Sequence, residues 1–220
     1  MLYDLIATLL RPTGWWGRLR TAGLELVPAK GPLLVVPNHD SQWDPVLVGL
    51  ALKPRRRLRF LARASLWKIP GLGPLLHRMG QIPIRRGVGD AAALEHAVEA
   101  LRSGEAVCVF PEAGLSWGER LRARSGVGRL AHACPGVHVV LCAVEGTTDY
   151  ARFPRRPSVR VSFFAPEKRD ARPDETPAEL ATRLLGEIRA RVPPTPAGRQ
   201  ALVGGPPRVR RARARRASRS

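Results

Sequence analysis

Acid is what this chain has least of. Its 220 residues carry 18 Asp and Glu against 37 Lys and Arg, a formal net charge of +19 and an isoelectric point near 11.6. Such an excess selects for polyanionic partners or anionic surfaces. Aromatic residues are also few, at 5%, and no helix-turn-helix, zinc-finger or RNA-binding aromatic pattern accompanies the charge. Specific nucleic-acid recognition is therefore not expected. Only three cysteines occur, Cys108, Cys134 and Cys142, with no Cys-x-x-Cys spacing. That excludes a disulfide framework and a zinc site, and it fits a reducing, cytosolic setting. No apolar run approaches the roughly 18 residues of a spanning helix. The start lacks a basic region followed by a small-residue cleavage site, so no signal peptide is expected. Neither Ser41 nor Ser116 lies in Gly-x-Ser-x-Gly, which argues against a serine hydrolase. No internal repeat is present.

What is there is an alternation. Hydrophobic residues make up 44% of the chain, enough for one domain with a full core plus appendages. Short apolar runs at Leu33–Val36, Leu58–Leu61, Gln81–Ile84, Ala106–Phe110, Val137–Val144 and Val159–Phe164 read as strands. Helical patterns separate them: Pro45–Leu52; Leu72, Leu75, Leu76 and Met79; Leu94, Ala97, Val98 and Leu101 behind an Asp90 cap; Gly126–Ala133; and Leu180, Leu184, Ile188 and Val192. Strands alternating with helices predict an α/β domain, a mostly parallel sheet covered by helices. Its functional residues should collect in the loops at one sheet edge.

The termini read differently. Leu2, Leu5, Ile6, Leu9 and Leu10 fall at helical spacing, followed at once by Arg11, Trp15, Trp16, Arg18 and Arg20. An apolar stripe flanked by Trp and Arg has the composition of an interfacial anchor, although packing onto the core would satisfy the same pattern. Pro193, Pro194 and Pro196 close the folded part. Arg208, Arg210, Arg211, Arg213, Arg215, Arg216 and Arg219 then crowd a tail without acidic residues, suited to disorder and either to acidic lipid headgroups or nucleic acid without sequence preference, or simply to solubility. The organisation expected is an amphipathic membrane-associating segment over 1–20, a catalytic-type domain over 21–193 and a Pro/Arg-rich tail over 194–220.

The candidate chemistry starts at Val36-Pro37-Asn38-His39-Asp40-Ser41-Gln42-Trp43-Asp44-Pro45. An imidazole leaving a strand end, with a carboxylate five positions on, is a general base with its own orienting group. Asp44 before Pro45 also reads as a helix N-cap. Arg85 and Arg86 end the strand over Gln81–Ile84, where guanidinium forks suit phosphate. Glu112 and Gly114 follow the strand over Ala106–Phe110, as a carboxylate in a glycine turn. The run Val139–Val144 would wall a tunnel or fill the core.

In this order the segments resemble the glycerolipid acyltransferase family, whose best-known members are the 1-acylglycerol-3-phosphate acyltransferases. Asn38, His39 and Asp44 match its Asn-His-x4-Asp block; Gly80, Ile82 and Arg86 its Gly-x-Ile-x-x-x-Arg strand; Phe110, Pro111, Glu112 and Ser116 part of its Phe-Pro-Glu-Gly-Thr-Arg-Ser block. Ala113, Gly114 and Leu115 stand where Gly, Thr and Arg are usual, and Leu141 replaces a proline. The likeness runs from about Leu19 to Phe164. It implies transfer of a fatty acyl group from acyl-CoA or acyl carrier protein to the hydroxyl of a lysophosphatidate-type lysolipid acceptor, in phospholipid biosynthesis. His39 would be the base and Asp44 its orienter, with Arg86, Arg85, Glu112 and Gly114 positioning the acceptor. No cofactor or metal is implied. Acceptors other than lysophosphatidate, or a non-catalytic lipid-binding relative, fit the third-block departures. The expected location is the cytoplasmic face of an anionic membrane, as a peripheral protein.

Overall fold

A computed structural model describes residues 2–85, 89–152, 154, 156–168 and 174–196. The element order begins with helix α1 (Leu2–Trp16), strand β1 (Arg20–Ala22), β2 (Leu33–Pro37), α2 (Asp44–Leu52), β3 (Leu58–Arg63), α3 (Leu72–Arg78) and β4 (Ile82–Ile84). It continues with α4 (Ala91–Arg102), β5 (Ala106–Cys108), α5 (Gly126–Ala133), β6 (His138–Glu145), β7 (Arg160–Phe164) and α6 (Pro177–Arg191). Short 3-10 turns lie at Leu24–Leu26, Ala64–Lys68 and Thr147–Ala151.

The seven strands form one sheet in the order β1-β7-β6-β2-β5-β3-β4. Every pairing is parallel except β6 with β7. The expected α/β layering is therefore present, with one antiparallel step near an edge. All six apolar runs became strands. β1, which the sequence pattern does not announce, is short and exposed, and it pairs in parallel with β7. It opens at Arg20, so the expected 20/21 boundary cuts through it.

β2 lies at the centre and explains the two-sided core. All five of its residues are buried, as expected of a strand covered on both faces. Leu33 and Val35 join a cluster with Leu47, Val48, Ala51 and Leu52 of α2. Leu34 and Val36 join the opposite cluster with α4, α5 and α6, through Ala97, Leu101, Val127, Leu130, Leu184 and Ile188. α5 and α6 meet at Gly128, where an added Cβ would lie 1.9 Å from the Pro177 carbonyl oxygen; only glycine permits that approach.

Helix ends follow local chemistry. Asp90 caps α4, its carboxylate accepting from the Ala93 amide. α6 starts with a capping box in which Thr176 and Glu179 satisfy each other's amides, with Pro177 in the first turn. Asp44 differs from expectation: Trp43 is the cap position, without a side-chain capping bond, and Asp44 is already helical. Its carboxylate turns back toward the preceding loop instead, because three amide and ring donors converge on it there.

α1 packs on α2 with Ala7 and Gly14 buried, and Tyr3 Oη accepts from the Leu58 amide. Its C-terminal carbonyls are taken by Arg156, whose Nε donates to Trp16 O at 2.9 Å and Nη2 to Trp15 O at 2.7 Å, with the guanidinium over the Trp15 ring. Leu5 and Leu9 stay outside, 55% and 64% exposed. The helix thus packs on the domain while part of its apolar stripe stays exposed. No helix among the described residues is long and apolar enough to cross a membrane. Residues 197–220, with the arginine run, lie outside the described residues, as does Arg86.

Candidate active site

The connection leaving β2 runs through α2 on one face of the sheet, whereas that leaving β5 runs through α5 on the other. Adjacent parallel strands whose connections diverge open a crevice at their carboxyl ends, the usual ligand position in such sheets. His39 follows β2 and Glu112 follows β5. The His39 amide donates to Glu112 Oε2 across that crevice at 2.7 Å.

Asn38 fixes where the turn begins. Its side chain donates to Val144 O at 2.9 Å and accepts from the Val144 amide at 2.8 Å, extending the β2–β6 pairing by one side chain. The chain then turns around Asp44. Asp44 Oδ2 accepts from the Asp40 amide at 2.7 Å, the Ser41 amide at 2.8 Å and His39 Nδ1 at 3.0 Å. Oδ1 accepts from the Thr147 hydroxyl. Both amides can only donate, so Oδ2 is an acceptor and Nδ1 must carry the proton facing it. That tautomer leaves the lone pair on Nε2, which has no hydrogen-bond partner among the described residues. The ring packs on Phe110 at 4.2 Å between centroids and is 8% exposed.

A second carboxylate in the same turn faces the other way. Asp40 accepts from Ser116 Oγ at 2.6 Å, from Arg189 Nη2 at 2.6 Å, and from the amide and hydroxyl of Thr195 at 3.2 and 3.0 Å. Arg189 also donates to Glu112, through Nε at 3.0 Å and Nη2 at 2.7 Å. Asp40, Glu112 and Arg189 are 5%, 4% and 4% exposed. Burial pushes the Asp40 carboxyl up, but Arg189, Ser116 and Thr195 outweigh it and the net shift is downward. For Glu112 burial wins over Arg189 and the His39 amide, and the shift is upward. Burial pushes the Arg189 guanidinium down, and its two carboxylates more than reverse that. One charged guanidinium thus sits between two buried carboxylates, paired with both.

The remaining predicted residues are scattered. Arg85 is exposed, its amide and guanidinium both directed at Asp90. Gly114 is half-buried, and a Cβ there would meet the Glu112 carbonyl oxygen at 4.0 Å, an ordinary contact. Arg120, Arg122 and Arg124, further along the same loop and not singled out above, are exposed. Ala113, in the usual glycine position, has φ of 50°, the left-handed region glycine favours. Val139–Val144 of β6 is a buried strand beside β2 and belongs to the core. Two cavities of about 540 and 560 Å³ lie elsewhere, one beside Trp15 and Arg18, the other beside Tyr3 and Arg57; neither is lined by His39. Among the described residues no three His, Cys, Asp or Glu side chains group to hold a metal.

Sequence reasoning missed Arg189, Asp40 and Thr147. Two carboxylates in the turns after neighbouring buried strands do signal that a cation is needed. Nothing local says which arginine supplies it, although Arg189 sits four positions after Leu185 on the buried side of α6.

Fold and site together define a mostly parallel α/β domain with a hydrogen-bonded histidine–carboxylate pair at its switch crevice. The profile of the Acyltransferase family matches residues 18–145, and the chain belongs to that family. It is 37% identical over 130 residues to a lyso-ornithine lipid O-acyltransferase of Pseudomonas aeruginosa, covering 56% of this chain and 49% of that protein. It is 28% identical over 133 residues to a chloroplastic 1-acyl-sn-glycerol-3-phosphate acyltransferase of Arabidopsis thaliana, covering 59% and 36%. The chain thus spans about half the length, or less, of these relatives. The crystal structure of the 1-acyl-sn-glycerophosphate acyltransferase PlsC from Thermotoga maritima superposes with a TM-score of 0.64 at 24% identity, over 86% of this chain and 80% of that one. That likeness speaks for the fold alone.

Proposed function

We propose that the protein is an O-acyltransferase that moves a fatty acyl group from a thioester, acyl-CoA or acyl carrier protein, to the hydroxyl of a lysolipid. The observation that carries this reading is the His39–Asp44 pair, 3.0 Å apart, with Nε2 unengaged among the described residues. His39 Nε2 takes the proton of the acceptor hydroxyl as that oxygen attacks the thioester carbonyl. Asp44 holds the tautomer and stabilises the imidazolium. When the tetrahedral intermediate collapses, the C–S bond breaks and the imidazolium returns its proton to the departing thiolate. The acceptor is itself the nucleophile, so no acyl-enzyme forms, and the thioester brings the activated carbonyl without a resident cofactor. Glu112 acts through the His39 turn, since its carboxylate is engaged with the His39 amide and Arg189. The acceptor's polar end is left to Arg86, to exposed Arg85 and to the turn at Gly114.

A lysophosphatidate-type acceptor is the family expectation. A second reading, a lysolipid without a phosphomonoester, is favoured by Leu115 in the usual arginine position and by the 37% identity to an enzyme named for lyso-ornithine lipid. The protein would work at the cytoplasmic face of an anionic membrane, which the net charge and the exposed Leu5 and Leu9 support.

The test is product mass spectrometry with one labelled acyl-CoA, one acyl carrier protein thioester and a panel of lysolipids. His39→Ala should lower turnover about 10²- to 10⁴-fold with the fold intact. Acyl transfer retained by that variant removes the base assignment.

A further inference from the structure

The family match ends at residue 145, yet the turn that carries the base is bound from outside it. The geometry points to Arg189 of α6 as a positioning residue for acyl transfer: it clamps Asp40 and Glu112, and through them fixes the turn that presents His39. This deepens the reading of His39 as the base and rests on it.

Three observations carry the inference. First, Arg189 contacts both loops of the crevice. Its bonds to Asp40 hold the residue next to His39, and its bonds to Glu112 hold the carboxylate that accepts the His39 amide. Second, the clamp is closed. Ser116 donates its hydroxyl to Asp40 and its amide to His39 O at 2.9 Å, so the His39–Asp40 unit is held through its own N–H, its own C=O and the next side chain. Third, α6 is tied down on its far side. Arg189 Nη1 donates to Val192 O, and Thr195 donates twice to Asp40, which folds the residues after α6 back over the turn. A guanidinium holds five donors in one rigid plane and can fix both carboxylates at once; an ammonium returns the charge without that fork.

The arrangement also sets the charge around the imidazole. The charged groups that hold the His39 turn are Asp44 of α2, which meets the ring, and, on the turn's other side, Asp40, Glu112 after β5 and Arg189 of α6, with the Cys142 thiol of β6 near Asp44. Burial keeps that thiol neutral, with its pKa raised well above the ordinary value. Arg189 is the one fixed cation in this set. Removing it leaves excess negative charge, which favours imidazolium and raises the pH needed to free the base. Removing Asp40 charge has the opposite sign. A purely structural role for Arg189 would lower stability but would not move the acid limb of the pH profile in opposite directions for the two substitutions.

The experiment uses the full chain with palmitoyl-CoA, following thiol release, and 1-oleoyl lysophosphatidate or lyso-ornithine lipid as acceptor. Arg189→Met, Arg189→Lys and Asp40→Asn are compared with the parent and with His39→Ala for thermal midpoint, kcat, KM and the acid limb of kcat/KM. Arg189→Met should lose about 10- to 100-fold in kcat with KM within about threefold, and its acid limb should rise by roughly 0.5–1 pH unit. Arg189→Lys should restore the limb but only part of kcat, since it returns the charge without the fork. Asp40→Asn should move the limb down. If Arg189→Met does not fold, the opposite movement in Asp40→Asn decides. Unmoved limbs with parental kcat in the folded variants overturn the inference while leaving the base intact. Turnover retained by His39→Ala overturns the base itself, a result the arginine variants cannot mimic.

Discussion

The turn after β2 and the helix α1 break the burial rule in opposite directions. At the turn, charged and polar groups go inside: Asn38, Asp40, Ser41, Asp44, Glu112, Ser116 and Arg189 are all 5% exposed or less. On α1, large apolar groups go outside, with Leu5, Leu9 and Trp15 more than half exposed. The first inversion is costly unless every donor and acceptor is matched, and here they are matched densely. Among the described residues Leu5 and Leu9 have no such compensation. An unfilled polar demand destroys a fold, whereas an unfilled apolar stripe waits for a surface. The two regions therefore differ in kind: one fixes polar atoms in place, and the other leaves apolar surface uncovered by the described residues.

Substitutions can break each side of this contrast separately. Asp44→Asn should have the largest effect: the shape survives, but the charge opposing the imidazolium and the fixed tautomer do not. A fall in kcat of about 10³-fold or more is expected, with a folded protein by circular dichroism. A kcat within tenfold of the parent would mean that the tautomer is set elsewhere. Next, Leu5→Ser with Leu9→Ser should weaken partition onto anionic vesicles by roughly tenfold or more, given about 1.5 kcal/mol or more per buried leucine. The thermal midpoint should hold, because neither side chain is buried in the protein. Equal sedimentation with vesicles would assign adhesion to another part of the chain. Smallest is Ala113→Gly. Relief of a left-handed alanine should raise stability by up to about 1 kcal/mol, read in a denaturant melt. A destabilised variant would show that the turn is held by the alanine methyl instead of despite it.

The sheet was legible because buried parallel strands are continuous apolar runs, and Leu33–Val36 or Val139–Val144 can hardly be anything else in a chain of this helical spacing. β1 was not legible: three exposed residues, Arg20, Thr21 and Ala22, become a strand only through β7 beside them. The same contrast holds at the site. His39 and Asp44 lie five positions apart, so a short turn unites them and the pattern announces it. Arg189 reaches Asp40 across 149 positions. Its sequence surroundings, Ile188-Arg189-Ala190-Arg191, offer one arginine facing inward and one outward with no local mark to tell them apart. Asp44 as a helix cap failed for a related reason, since the donors it prefers belong to the turn and to Thr147, a residue 103 positions away.

Thr195 has a consequence beyond its two hydrogen bonds. It pins the backbone beside Asp40, and Arg208 follows it by 13 positions. Even fully extended, that length of chain reaches no more than about 45 Å. An anionic headgroup held by Arg208 would be leashed within that reach of Thr195, its local concentration set by the leash, not by the bulk solution.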